Sequence, residues 1–329
     1  MMNIFLTYDY ELFFGEESGS VDKCLIDPTN RLIELCAKHK TKMTFFVDVG
    51  YLIKLQEFAP NHQELQIDQL KIRNQLREII DSGNSIQLHI HPHWENSFYE
   101  DGKWHIITDK SYKLDDFSDE EIRRIVRNYK YFIDTLTGQK TTAFRAGGWC
   151  IQPFYRLKEL FKELEITIDS SVFPGGKFFS LHYDFDFTNA PNKAKYRFES
   201  DVCIEDLDGY FTEYPISSWR YSPLFYWRLY ILGRLFPSKH KMLGDGIFLS
   251  QPGRKKSVLT NFTWNHVSTD GYYASKLNTC LKSCEKRNFS DMVIIGHPKS
   301  MTNYSFQVLE NFIKDNHTKH AFRTFKELL

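Results

Sequence analysis

Short apolar runs alternate with helical patterns along almost the whole chain, and this alternation constrains the fold more than any other feature. Residues 3–8, 42–47, 85–90, 142–145, 166–168, 209–216, 258–264 and 292–296 read as strands. Between them lie helical signatures: Asp27-Pro28 opening one, then 68–81 stopped by Gly83, 119–137, 153–165 opened by Pro153, and 272–286. The clearest is 119–137, where Ser118 and Glu121 form a capping box. Ile122, Ile125, Val126, Tyr129 and Ile133 make one stripe there, and Gly138 ends the helix. Strands alternating with helices predict a parallel sheet with helices outside, and about seven such units predict an α/β fold of distorted (β/α)7-barrel type with long inserted loops. The expected organisation is a single barrel domain over 1–329, with insertions at 94–117 and 177–255.

Charge and termini narrow the function class. Forty-two Lys and Arg balance 42 Asp and Glu, and the longest basic run is Arg254-Lys255-Lys256, so no nucleic-acid footprint is expected. The first residues lack a basic region followed by an apolar stretch, and six scattered cysteines form no C-x-x-C pair; a cytoplasmic protein is the expectation. Cys280 and Cys284, four apart on an expected helix, read as packed thiols. The segment 221–241 carries Leu224, Trp227, Ile231 and Leu235 at helical spacing among Arg228, Arg234, Lys239 and Lys241. The first reading is a helix that packs its stripe on the barrel; the second is a peripheral contact with a membrane surface.

Residues able to bind metal or move protons recur where the expected strands end. Asp9 and Glu11 follow the first strand, His89, His91 and His93 the third, Arg145 the fourth, Asp169 the fifth and His297 the last. In barrels of this kind the C-terminal strand ends form one face, so residues far apart in sequence converge there. Two imidazoles and a carboxylate leave coordination positions open for water and substrate, a set suited to metal-assisted hydrolysis. Asp9 and Glu11, two apart along an extended strand, share a face. Gly147 and Gly148 after Arg145 allow backbone to approach a ligand closely.

Taken in order, these stations resemble those of the polysaccharide deacetylases, carbohydrate esterase family 4, whose shared unit is the NodB-homology domain. Thr7-Tyr8-Asp9-Tyr10-Glu11 is similar to the family's Thr-Phe-Asp-Asp, and His89-Ile90-His91-Pro92-His93 to its His-Ser/Thr-x-x-His. Phe144-Arg145-Ala146-Gly147-Gly148-Trp149 resembles the Arg-containing third motif, the segment from Ile168 to Pro174 the fourth, and Ile295-Gly296-His297-Pro298 the Leu-x-His of the fifth. The resemblance spans about residues 3–300. Departures mark a divergent branch: Asp-Tyr-Glu replaces adjacent aspartates, Ile90 stands where Ser or Thr is usual, and the fourth motif lacks its Asp-Trp ending.

The resemblance implies a hydrolase that removes an acetyl group from an N-acetylated sugar, with a divalent metal, zinc foremost, as cofactor. Glu11, His89 and His93 would hold the metal, although Asp9 could instead supply the carboxylate. Asp9 would be the base, steadied by Arg145; His297 would be the acid, with Asp169 orienting it or holding its loop. Tyr10, through its backbone N–H, would meet the oxyanion. Trp149, Glu213, Trp219 and Trp264 would line the sugar groove, for indoles stack on sugar faces while carboxylates bind hydroxyls. A cytoplasmic enzyme would meet nucleotide-linked or lipid-linked sugars. Two alternatives stand beside this reading: an amidohydrolase of the same fold cutting a non-sugar C–N bond, and a carbohydrate-binding relative without catalysis.

Overall fold

The computed structural model describes residues 1–328. Seven strands run parallel in the order Phe211–Glu213, Ile168–Asp169, Ala143–Ala146, Ser85–Ile90, Thr44–Asp48, Asn3–Tyr10 and Asp291–Gly296. Single bridges join Ile216 to Val293 and Ser268 to Ile295, so the two ends of the curled sheet meet through isolated contacts and not through a full ladder. This is the distorted α/β barrel expected from the alternation. Tyr196–Phe198 adds an antiparallel edge beside Phe211–Glu213, and Ala321–Phe322 pairs with Asn3–Ile4.

The long central strands are buried at nearly every position, as a sheet covered on both faces requires. One continuous apolar core runs from Met2 to Phe325. Each Leu, Ile or Phe sealed in it contributes on the order of 1.5–3 kcal/mol. The helix Asp119–Thr137 forms as its caps dictate: Ser118 and Glu121 bond reciprocally, Gly138 takes φ 64°, and the stripe from Ile122 to Ile133 faces the core.

Several boundaries differ from the sequence reading. Residues 258–260 belong to the helix Arg254–Thr260, and the strand there is Thr263–His266; β-branched Val258 packs into a small separate core instead of joining the sheet. The helices Val49–Phe58 and Asn303–Asn316 escaped notice, the first because its apolar residues continue directly from the strand Thr44–Asp48. The segment 94–117 folds as a hairpin, Phe98–Glu100 with Lys103–His105, and 177–187 carries another, Lys177–Phe179 with Asp184–Asp186. The expected 177–255 insertion also contains the sheet strands Tyr196–Phe198 and Phe211–Glu213.

The segment 221–241 contains the expected helix, Pro223–Leu235, but in the opposite orientation. Phe225 and Tyr226 pack inward with Tyr221 and Val258, whereas Leu224, Trp227, Ile231 and Leu235 face outward. The aromatic pair wins the interior because Phe225 stacks on Tyr272 and both rings pack against Tyr273, Tyr226 edge-on, across from the helix. No helix among the described residues is long and apolar enough to cross a membrane.

Candidate active site

The C-terminal ends of the parallel strands bring Asp9, Glu11, His89, Arg145 and His297 together, nearly all deeply buried. Arg145, fully enclosed, lies with its guanidinium carbon 4.1 Å from the centre of the Phe46 ring. It donates to Asp9 Oδ1 at 2.7 Å and, through Nε and a terminal nitrogen, to the Ser170 carbonyl at 2.8 Å and Ser170 Oγ at 3.1 Å. A buried charge is tolerable only when paired in this way. Asp9 Oδ2, the oxygen not bound by Arg145, lies 3.7 Å from His297 Nε2 and 3.9 Å from His89 Nε2.

Glu11 is the hub. Its Oε2 lies 3.0 Å from His89 Nε2 and 2.7 Å from His91 Nε2, while its Oε1 accepts from Lys299 Nζ at 2.9 Å. Lys299 also donates to the Leu12 carbonyl and lies over the rings of Phe13 and Phe14. Burial pushes the Glu11 carboxyl up, but the Lys299 ammonium, then His91 and His89, hold it well below the usual carboxylate range. His89 Nδ1 lies 2.8 Å from the Arg145 carbonyl, which can only accept, so Nδ1 carries a proton and Nε2 faces Glu11. Burial lowers the His89 imidazole, yet Asp9 and Glu11 raise it to about 9. His91 goes the other way, to about 4, because burial outweighs Glu11.

Ligand atoms of Glu11, His89 and His91 all lie within 4.8 Å of one another. One carboxylate and two imidazole nitrogens converging in a buried site fit a divalent metal ion, with a backbone carbonyl fixing one imidazole from behind. The expected partner of His89 was His93; the structure puts His91 there instead. In extended chain, residues two apart share a face, and the strand ends at Ile90, so His91 still points as His89 does. The 3₁₀ turn Pro92–Asn96 then swings His93 away, behind Phe14 and flat against Tyr112, with no hydrogen bond to either ring nitrogen. Burial holds its pKa well below the ordinary value. Gly147 makes room for His91: a Cβ there would come within 2.5 Å of His91 Nδ1 and 2.6 Å of the Ile90 carbonyl oxygen.

His297 is oriented by Asp270, not by Asp169. Asp270 Oδ2 lies 2.7 Å from His297 Nδ1, and Oδ1 accepts from the His297 backbone N–H at 2.8 Å. Burial lowers the His297 imidazole, but Asp270, then Asp9 and Glu11, raise it above its ordinary value. Asp169 accepts from Ser171 N and Oγ at 3.0 and 2.8 Å and forms a buried carboxyl pair with Glu213, its neighbour across the sheet. Burial first and Asp169 second push Glu213 well up, since two enclosed carboxylates cannot both ionise. Glu213, expected in the sugar groove, is instead fully enclosed and accepts from Val172 N, so it presents no surface to a ligand.

The Tyr10 side chain also turns away, its hydroxyl donating to Gln75 Oε1 at 2.8 Å. The tryptophans lie nearer the mouth. Trp149, at φ 61°, stacks obliquely on His266 with ring centres 4.9 Å apart, and half-exposed Trp264 covers Gly175. Trp219 pairs with Asn265 across the two-stranded hairpin of Ser218–Tyr221 and Thr263–His266. Asp270 and Lys299 are the two residues of this cluster that the sequence reading missed. Lys299 lies two residues beyond His297, and Asp270 follows the strand Thr263–His266 at the same end as the other acids.

At the level of sequence no family model matches the chain, and no curated protein matches it. Solved structures do. A candidate polysaccharide deacetylase from Mycobacterium smegmatis superposes with a TM-score of 0.53 at 13% identity, covering 99% of this chain and 88% of that one. The allantoinase Puue superposes at 0.50 and 12% identity, with the same coverage of both chains. The chain shares the fold of these two structures, a distorted α/β barrel.

Proposed function

We propose that the chain is a metal-dependent hydrolase that removes the acetyl group of an N-acetylated sugar. The observation that carries this reading is the meeting, within a few ångströms, of three units: the Glu11–His89–His91 donor set, the Asp9–Arg145 pair and the Asp270–His297 pair. A binding module needs no such set, whereas hydrolysis of an amide needs a base, an acid and charge stabilisation together.

Glu11, His89 and His91 would hold the ion, with Nε2 of each imidazole and Oε2 of the carboxylate as donors. A bound divalent ion polarises a carbonyl and acidifies water. Asp9 Oδ2, left free by the Arg145 contact at Oδ1, takes the proton from the attacking water. Arg145 keeps that carboxylate aimed. His297 Nε2, facing Asp9 and Glu11, delivers a proton to the leaving nitrogen, because Asp270 fixes its other nitrogen and favours the imidazolium. Lys299 neutralises the outer oxygen of Glu11 and so confines that group's ligating power to Oε2. Trp149 and Trp264 at the mouth offer faces for a sugar ring.

Metal content of the purified protein, combined with a screen for acetate release from N-acetylated sugars and their conjugates, tests this reading. Metal-dependent acetate release is expected. The allantoinase fold match supports a second reading, cleavage of a ureide-type C–N bond at the same centre. Turnover of ureides with no acetate from any acetylated sugar would select it.

A further inference from the structure

We infer that the insertion carried by the hairpin Ser218–Tyr221 with Thr263–His266 docks on an anionic lipid bilayer. The helix Pro223–Leu235 is apolar on both sides. Phe225 and Tyr226 fill one face, and the other presents Leu224, Trp227, Ile231 and Leu235, from 47% to 66% exposed, continued by Phe236. At roughly 100° per residue those four side chains form a single stripe, and Arg228 and Arg234 flank it on either edge. A surface helix that spends apolar residues on its outer face lies against something other than water.

Charge identifies the occupant. Between residues 215 and 269 there are eight Lys or Arg and one acid, Asp245, in a chain whose totals are 42 and 42. Arg220, Arg228, Arg234, Lys239, Lys241, Lys255 and Lys256 are exposed and form no ion pair among the described residues. Basic side chains elsewhere on the surface, such as Arg124, Arg127, Arg156 and Lys162, do find carboxylates. Apolar stripe, interfacial Trp and unpaired cations together match a helix lying in the plane of a bilayer with acidic headgroups. A second copy fits poorly, since the same basic rim would face itself across a two-fold axis.

The supporting hairpin also reaches the site. His266, at its inner end, stacks on Trp149, and Trp264 covers Gly175 beside the mouth. Docking would therefore hold the mouth near the headgroup layer, which suits an acetylated sugar on a lipid carrier. That substrate class rests on the deacetylase reading; the docking does not.

Flotation of the full chain with vesicles of phosphatidylcholine, with and without phosphatidylglycerol, tests the docking. Binding is expected on the acidic vesicles only, weakening as salt is raised. Arg234→Gln with Lys255→Gln and Lys256→Gln should lower the partition roughly 100-fold. Trp227→Glu with Ile231→Glu should abolish it, with the circular dichroism spectrum unchanged in both variants. Equal flotation with neutral vesicles, no flotation of the wild type, or wild-type binding by either variant overturns the inference. So does a wild-type dimer in sedimentation velocity that the Trp227→Glu, Ile231→Glu variant dissociates. Vesicle binding without acetate release would leave the docking standing and sink only the sugar substrate.

Discussion

At the barrel mouth each decisive charge meets a partner of opposite sign: Asp9 meets Arg145, Glu11 meets Lys299, and His297 meets Asp270. In the insertion beside it, seven exposed cations meet none, and an apolar stripe faces outward. The mouth is organised before any ligand arrives, so its side chains are already aimed. The insertion is finished only by what it touches. Substitutions should therefore separate the two regions sharply, with chemistry and stability lost at the mouth and neither lost on the stripe.

The largest effect is expected at the mouth. Asp9→Asn and His297→Ala should each lower acetate release by about 10²–10⁴-fold while the circular dichroism spectrum stays as in the wild type. Turnover close to wild type in either variant would break the assignment of base and acid. Arg145→Met comes next: it leaves Asp9 buried without its cation and should cost about 3–5 kcal/mol in chemical denaturation. A loss below 1 kcal/mol, order-of-magnitude, would mean that water reaches Asp9 and that the pairing is not what holds it.

Smaller and more specific is the pH profile. If His297 is the acid, as proposed, it works protonated, and Asp270 raises its pKa, so activity should persist up to that raised value and fall as pH climbs through it. Asp270→Asn removes the carboxylate's charge and should move the alkaline limb to lower pH. An unmoved limb would assign that limb to another group. The smallest effect belongs to the stripe: Leu224→Ala should change stability by no more than about 0.5 kcal/mol, since the side chain is more than half exposed. A melting point that dropped as far as for Phe225→Ala would show the stripe to be packed after all.

What the sequence reveals follows the same division. The parallel barrel is legible because buried strands leave continuous apolar runs and because Ser118, Glu121 and Gly138 bracket a helix unambiguously. Asp9, Arg145 and His297 are legible because strand ends on one face must converge. The second imidazole is not, since His91 and His93 both stand two-residue steps from His89, and only the turn at Pro92 decides which continues to face the site. Asp270 and Lys299 act across 27 and 288 residues from their partners, and no local spacing encodes such pairings. The outward stripe is misread for a different reason: periodicity finds a two-faced helix, but Phe225 and Tyr226 compete for the interior, and their packing against Tyr272 and Tyr273 is visible only in three dimensions.

Calorimetric titration of the apo-protein with zinc tests most directly the proposal that His89 and His91, and not His93, hold a divalent ion with Glu11. Wild type and His93→Ala should both bind one ion with similar affinity, whereas His91→Ala and Glu11→Gln should lose that binding. Loss in His93→Ala with retention in His91→Ala would contradict the account.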